Sequence, residues 1–393
     1  MTPILSVIIP TRERASYLRH AIRTCTANRE AALEILVLDN ASTDETAQTV
    51  ASMADPRVRY DRSNSRLSMR DNFERGLKLA RGEILCFIGD DDGLLPNAIA
   101  DALAIFAQHD VDAVSAARAH YFWPDLMSPR RNTGLLPRGQ GVSVANTRDA
   151  LPSLLDHCDY YRVPCLYHGF VKKEVVDRIA RRQGRFFLSN QVDIYSAIAL
   201  CAENLRYAFS RSPLIINGGS GRSNGASHFG GGGAQEKSLW KMEDDIGFLP
   251  GFETSITIGA YMIESAMRYA ARSDGTSIMS LFEPRTVHRT LNAEARARAA
   301  AGRSVDDISA VFAAAGVVPD AEGAWPVGGA TPSRLRRLFR SYLSNLPVNL
   351  ESRNIFDVYE AARHFGSTIA KRDTGLLRNP TEQIITSLRI MRS

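Results

Sequence analysis

One cluster of adjacent side chains points directly to a chemistry: Gly89-Asp90-Asp91-Asp92-Gly93, placed straight after the apolar run Ile84-Leu85-Cys86-Phe87-Ile88. Three consecutive carboxylates repel one another and are costly to crowd at the end of a buried strand unless a cation neutralises them. Hard oxygen ligands suit Mg²⁺ or Mn²⁺, and such an ion can hold a substrate diphosphate at the same time. The plainer alternative is that Asp92 caps the helix near Leu95 while the other two are solvated. Asp39-Asn40-Ala41-Ser42-Thr43-Asp44 follows a second apolar run, and by itself it reads as turn chemistry with Ser42 or Thr43 capping the next helix. Asp193 falls early in the helical run 192–202. There it is either a carboxylate satisfied by the helix dipole or a base projecting into a cleft. Residues 217–234 hold eight glycines in eighteen positions together with Arg222 and His228. They read either as a linker or as a lid closing near a diphosphate.

The elements that must position these residues alternate. Ile4 to Ile9, Glu34 to Leu38, Arg57 to Tyr60, Ile84 to Ile88 and Asp112 to Ala117 are strand-like runs, and helical spacing follows most of them. Gly82 is expected to stop the helix 70–81. Strands that are apolar throughout, each followed by a helix, predict an α/β fold with a mostly parallel sheet covered on both faces. In such sheets ligands sit beyond the carboxyl ends of the strands, where Pro10-Thr11-Arg12, Asp39 and the three aspartates all fall. Residues 124–146 read as a loop excursion, and from about 235 onward the signals are helical, including 236–248, 332–346 and 381–391. This predicts a catalytic domain over 1–234 and a helical C-terminal domain over 235–393, for acceptor, membrane or oligomer contacts.

The 393 residues carry 48 Lys and Arg against 43 Asp and Glu, a surplus of +5 that is too small to argue a nucleic-acid partner. Five scattered cysteines make no disulfide framework. No apolar run reaches the ~18 residues of a spanning helix. Pro3 to Pro10 reads as a strand rather than a signal peptide. A cytoplasmic protein is expected, with the basic amphipathic stretch 332–346 (Arg334, Arg336, Arg337, Arg340) available for contact with the inner face of a membrane. No G-x-G-x-x-G follows the first strand and no P-loop occurs, which speaks against dinucleotide enzymes and ATPases.

Taken in order, Ser6-Val7-Ile8-Ile9-Pro10-Thr11-Arg12, Asp39 to Thr46, Gly76-Leu77 to Glu83, and Phe87-Ile88-Gly89-Asp90-Asp91-Asp92 with Pro96 resemble the family-2 inverting glycosyltransferases of the A-type fold. The resemblance implies a metal-dependent transferase that moves a sugar from a nucleotide-sugar, a UDP-sugar first, to a carbohydrate or lipid-linked carbohydrate hydroxyl, as in surface polysaccharide or glycan synthesis. It implies that Pro10, Thr11 and Arg12 receive the nucleotide and that Asp39 reads a uracil-like edge. Asn72, Asp90, Arg222 and His228 join the donor site, Asp91 and Asp92 hold the metal, and Asp193 activates the acceptor. The chain departs from the family pattern at Gly89, where an aspartate is usual, and at Val192, where an acidic residue or proline is usual. Two other readings are a sugar-nucleotidyltransferase, which would open with a Gly-rich loop this chain lacks, and a carbohydrate-binding protein on a decayed transferase domain.

Overall fold

The computed structural model describes residues 3–223, 246–318 and 344–373, apart from 254, 256, 274–277 and 303–307. The first half alternates as the sequence predicts: β1 (Leu5–Thr11), α1 (Ala15–Thr26), β2 (Leu33–Asp39), α2 (Thr46–Ala51), β3 (Val58–Arg62), α3 (Met69–Leu79) and β4 (Ile84–Phe87). These strands form a parallel block in the order β3-β2-β1-β4. Leu5, Val7 and Ile9 of β1 face one hydrophobic core and Ile8 faces the other, so the strand is apolar throughout because it is covered on both sides. Register places Thr11 level with Asp39, so the ends of β1 and β2 deliver their polar residues side by side.

Two details differ from the sequence reading. α3 ends at Leu79 with Ala80 in an extended conformation, so Gly82 does not cap it. A Cβ on Gly82 would lie 2.5 Å from the Ser6 backbone nitrogen, and its own N–H donates to Ser6 Oγ at 2.8 Å. Close approach to β1, not helix termination, requires the glycine there. At α2 neither Ser42 nor Thr43 caps; Asp44 Oδ1 accepts from the Thr46 N–H at 3.1 Å instead.

The second half is mixed. It comprises β5 (Gly93–Leu94), α4 (Ala98–His109), β6 (Ala113–Phe122), β7 (Thr133–Pro137), β8 (Val142–Asn146), α5 (Thr147–His157), β9 (Phe170–Lys172), α6 (Lys173–Gln183), α7 (Val192–Ala202) and β10 (Arg206–Gly219). β9 lies antiparallel between β4 and β6, while β10 runs parallel to β6 with a register shift between Ser210 and Ile215. The expected excursion 124–146 contributes β7 and β8. Every residue of β8 is exposed, and among the described residues it pairs only with β10. Its alternating Val142 and Val144 stay exposed, so a short edge strand here buries no apolar face.

Beyond residue 246, α8 (Ile258–Ala270), α9 (Pro284–Ala300) and α10 (Ile308–Ala314) extend the core formed by α5 and α7, with Phe252, Met262, Ile263 and Leu291 buried in it. The chain then returns to the sheet. β11 (Asn345–Asn349) adds an antiparallel edge to β7, and α11 (Val358–Asp373) packs on α1 and β5. A strand therefore begins where the sequence predicts the last turn of the 332–346 helix. The remainder of that helix, most of 236–248 and all of 381–391 lie outside the described residues. Among the described residues no helix is long and apolar enough to cross a membrane.

Candidate functional site

The three aspartates sit on the turn between β4 and β5, all 5% exposed or less, and each finds different partners. Asp90 Oδ2 accepts from Thr11 Oγ1 at 2.8 Å, and its Oδ1 pairs with Arg14 at 3.1 Å. Burial pushes the Asp90 carboxyl up, and Arg14 opposes that shift. Asp92 is the hub of the site. Its Oδ2 meets Tyr167 Oη at 2.8 Å, His168 Nε2 at 2.6 Å and the Gly89 N–H at 2.6 Å, while Oδ1 accepts from the Gly218 N–H at 2.7 Å. Burial alone would raise the Asp92 carboxyl, but His168, Gly218 and Tyr167 together hold it below the usual range. Asp92 does not cap α4, whose first turn is preceded by Asn97.

Asp91 differs from both. Its Oδ2 accepts from Ser220 Oγ at 2.6 Å and Ser223 Oγ at 2.5 Å, both neutral donors. Burial, followed by the charge of Asp92, pushes the Asp91 carboxyl up to about 6. It is the buried carboxylate of the trio without a cationic partner of its own, and this is the environment that a divalent cation relieves. Among the described residues no group of three His, Cys, Asp or Glu side chains converges on one point. A buried carboxylate of this kind suits a Mg²⁺- or Mn²⁺-type ion, which takes oxygen ligands and usually keeps substrate phosphates and water among them. The sequence pairs Asp91 and Asp92 as ligands; both oxygens of Asp92 accept from protein donors, whereas Asp91 meets Ser220 and Ser223 through Oδ2. Asp92→Ala should leave His168 and the Gly218 amide buried without their partner and cost about 3–5 kcal/mol. A fall in the urea unfolding midpoint checks it, and a variant as stable as the parent would refute it.

Gly89 has a physical explanation. A Cβ there would lie 2.7 Å from Tyr167 Oη and 2.9 Å from Asp92 Oδ2. The Tyr167 hydroxyl fills the space that an aspartate at this position would need.

Asp39 ends β2 at 1% exposure. Its Oδ1 accepts from the Ser42 N–H at 2.8 Å, and its Oδ2 accepts from Tyr60 Oη at 2.5 Å with Arg62 Nε 3.6 Å away. The carboxylate is thus held by its own turn and by β3 rather than displayed. Asp39→Ala should cost about 1–3 kcal/mol through the orphaned Ser42 amide and Tyr60 hydroxyl. Equilibrium unfolding would show this, with Asp39→Asn as the milder variant for nucleotide-binding studies.

The remaining candidates are spread around this centre. Thr11 touches Asp90 directly, while Pro10 and Arg12 continue β1 toward the same edge. Arg12 and Arg66 are close enough that Arg12, after burial, lowers the Arg66 guanidinium, so two cations share this edge. Asn72 is buried on α3 and its Oδ1 accepts from Arg75 Nη1 at 2.5 Å, which ties it to its own helix. Arg222 Nη1 donates to the Glu13 carbonyl at 2.7 Å and Arg14 donates back to the Arg222 carbonyl. This pair draws the segment after β10 over the β1 end, beside a cleft lined by Glu13, Ala15, Asp44 and Arg222. His228 lies outside the described residues.

Asp193 is the second residue of α7. Its Oδ2 accepts from Tyr160 Oη at 2.6 Å and Tyr161 Oη at 3.4 Å. Burial, then Asp193 itself, pushes the Tyr160 phenol well up, so it stays protonated and donates. The loop ahead of α7 is pinned twice. Glu74 of α3 accepts from the Phe186 and Phe187 amides at 3.0–3.2 Å, and Glu264 of α8 accepts from Ser189 Oγ at 2.9 Å. Sequence reasoning missed Arg14, Tyr160, Tyr161, Tyr167, His168, Ser220 and Ser223. Arg14, two residues beyond Arg12, and Ser220 and Ser223, inside the glycine-rich 217–234 stretch, carried a local signal; the others lie in segments whose pattern says nothing about where they converge.

Mixed α/β architecture with the polar residues gathered beyond the ends of β1, β2, β4 and β10 is the A-type glycosyltransferase arrangement. The solved structure of S. aureus TarS 1–349 in complex with UDP-GlcNAc shares it, with a TM-score of 0.53 and 14% identity over 95% of this chain and 93% of that one. Residues 6–167 match the family model for glycosyl transferase family 2. A GalNAc(5)-diNAcBac-PP-undecaprenol beta-1,3-glucosyltransferase of Campylobacter jejuni is 37% identical over 36% of this chain and 44% of its own length. An uncharacterized glycosyltransferase of Rickettsia typhi is 29% identical over 28% of this chain and 34% of its own. The chain thus spans less than half the length of these curated relatives.

Proposed function

We propose that the protein transfers a sugar from a nucleotide-sugar, in the first place a UDP-sugar, to a hydroxyl of a carbohydrate or lipid-linked carbohydrate, with inversion and with the help of a divalent cation. The observation that carries the reading is the unequal treatment of three adjacent aspartates. Two are locked by protein partners, and Asp91 alone is left as a buried carboxylate facing neutral hydroxyls. A cation held there would offset the charge developing on the departing diphosphate. Ser220 and Ser223 orient the Asp91 carboxylate toward it, and Asp90 with Thr11 and Arg14 fixes the turn that presents it. Asp193, with Tyr160 and Tyr161 donating to one oxygen, is placed to take the proton of the acceptor hydroxyl. Arg222 and the segment after β10 would exclude water that would otherwise hydrolyse the donor.

Residues 1–234 form the catalytic unit in this reading, and the helices beyond 246 buttress the base helix through Ser189 and Glu264. Surface polysaccharide or glycan assembly supplies acceptors of this chemistry. Contact with the inner face of a membrane through 332–346 would bring the enzyme to a lipid-linked one. The test is a donor screen: release of UDP, GDP or dTDP from the corresponding sugars with Mn²⁺ and with EDTA, alongside calorimetric titration of each nucleotide. Cation-dependent release of UDP is expected. Release that proceeds equally in EDTA, or binding of none of the three nucleotides, would overturn the reading.

A further inference from the structure

Beyond the register shift in its pairing with β10, β6 turns Ala119, Tyr121 and Trp123 into the core and stands Arg118, His120 and Phe122 on the opposite face, all three half-buried. The Arg118 guanidinium lies 3.0 Å from the centre of the Tyr161 ring, and its Nη1 is 3.3 Å from His168 Nδ1. An arginine cannot accept a hydrogen bond, so Nδ1 accepts and His168 directs its Nε2–H at Asp92. Neither neighbour of Arg118 is an anion. A second arginine stands nearby, while the closest carboxylates, Asp92 and Asp193, are each one side chain away, behind His168 and Tyr161. The Arg130 guanidinium sits 5.7 Å over the Phe122 ring, and burial, then Arg118, pushes the His120 imidazole down to about 3.

The position is specific. Through His168 the guanidinium abuts Asp92 of the acidic cluster, and through Tyr161 it abuts Asp193, whose Oδ2 is 3.4 Å from the Tyr161 hydroxyl. Arg118 therefore stands between the proposed donor-side centre and the proposed base. A half-buried cation whose partners are a ring face and an imidazole is incompletely compensated. Its planar fork is shaped for two oxygens of a phosphate or carboxylate.

We propose that Arg118 is the centre of an acceptor subsite that recognises an anionic group, a phosphate or a carboxylate, carried close to the accepting hydroxyl. This rests on the glycosyltransferase reading above, and it names the acceptor class. The donor diphosphate is assigned elsewhere, to the Asp91 side with Ser220 and Ser223, and Asp92 with its histidine stands between the two.

The experiment is calorimetric titration of glycerol 3-phosphate, glycerate and glycerol into the protein, with and without UDP and Mn²⁺, for the parent, Arg118→Gln and Arg118→Lys. Gln can still donate to His168, and Lys keeps the charge. Glycerol 3-phosphate or glycerate should bind the parent while glycerol does not, and whichever binds better identifies the anion. Arg118→Gln should weaken that binding at least about tenfold, the usual weight of a hydrogen bond to a charged group. Arg118→Lys should lie between, and the UDP affinity should stay within about twofold throughout. Equal loss of UDP binding would mean that the guanidinium reads the donor diphosphate and would overturn the proposal. So would anion binding unchanged in Arg118→Gln, or a parent that binds neither anion. Should Arg118→Gln fail to fold, the comparison of parent and Arg118→Lys decides: the same affinity for the anion and for glycerol in both overturns it. Absence of UDP binding in the parent would instead count against the donor reading, while Arg118-dependent anion binding measured without nucleotide would still support the subsite.

Discussion

Asp193→Asn is expected to lower acceptor-dependent turnover by roughly 10²–10⁴-fold, the usual contribution of a positioned general base. UDP affinity should be nearly unchanged, because the base acts on the acceptor. The substitution keeps size and leaves the helix start intact. Tyr160 and Tyr161 currently donate to Oδ2, and Oδ1 accepts from the Ile194 N–H at 2.9 Å. A carboxylate oxygen accepts more than one hydrogen bond, so both oxygens keep room for an incoming hydroxyl. An amide nitrogen at the Oδ2 position can donate to the phenolic oxygens, so the fold should survive. Turnover and UDP titration on the same variant separate the outcomes. Near-native turnover would move the base elsewhere, and Asp159 would be next. Glu203 is already committed to Arg182 and Tyr269. Loss of both turnover and UDP binding would mean that Asp193 holds the loop and the donor site together.

Asp91→Asn is the second large effect, a fall in kcat/KM for nucleotide release of at least ~10²-fold, as expected for a group acting on developing charge in a site shielded from water. Asn is nearly isosteric, and the Ser220 and Ser223 hydroxyls can turn to it, so the loss would not reflect misfolding. Binding to the native state raises stability by mass action, so Mn²⁺ should raise the Tm of the parent and leave that of Asp91→Asn unchanged. A variant with parental kcat/KM, or with an undiminished Mn²⁺ shift, would remove Asp91 from the cation site. Asp92→Asn is the instructive contrast. It should act on stability first, because that carboxylate is engaged by Gly89, Tyr167, His168 and Gly218.

The chemistry of the first 110 residues is legible in the sequence because it is local. β1, β2 and β4 are buried on both faces, so their apolar runs announce them, and the polar residues that follow must fall at the carboxyl edge of the sheet. Thr11, Asp39 and Asp90 to Asp92 were identifiable from position alone. What each carboxylate does was not. Asp90, Asp91 and Asp92 are chemically identical neighbours, and they are told apart by Arg14 from the start of α1, Ser220 and Ser223 from beyond β10, and Tyr167 and His168 from the turn before β9.

Those partners lie tens to more than a hundred residues away, and no periodicity encodes which of them will meet. The same holds for Asp39, whose burial beneath Tyr60 depends on the pairing of β2 with β3, and for Asp193, whose phenolic donors come from a turn more than thirty residues earlier. Antiparallel strands β7, β8 and β11 escaped the sequence for a related reason: each is five residues long, and it is pairing with a distant strand that fixes it as a strand. The sequence determined which side chains stand at the carboxyl edge of the sheet, because burial of the strands behind them is a local property. The tertiary structure decided which partners each carboxylate meets, because hydrogen-bond saturation depends on contacts that only folding brings together.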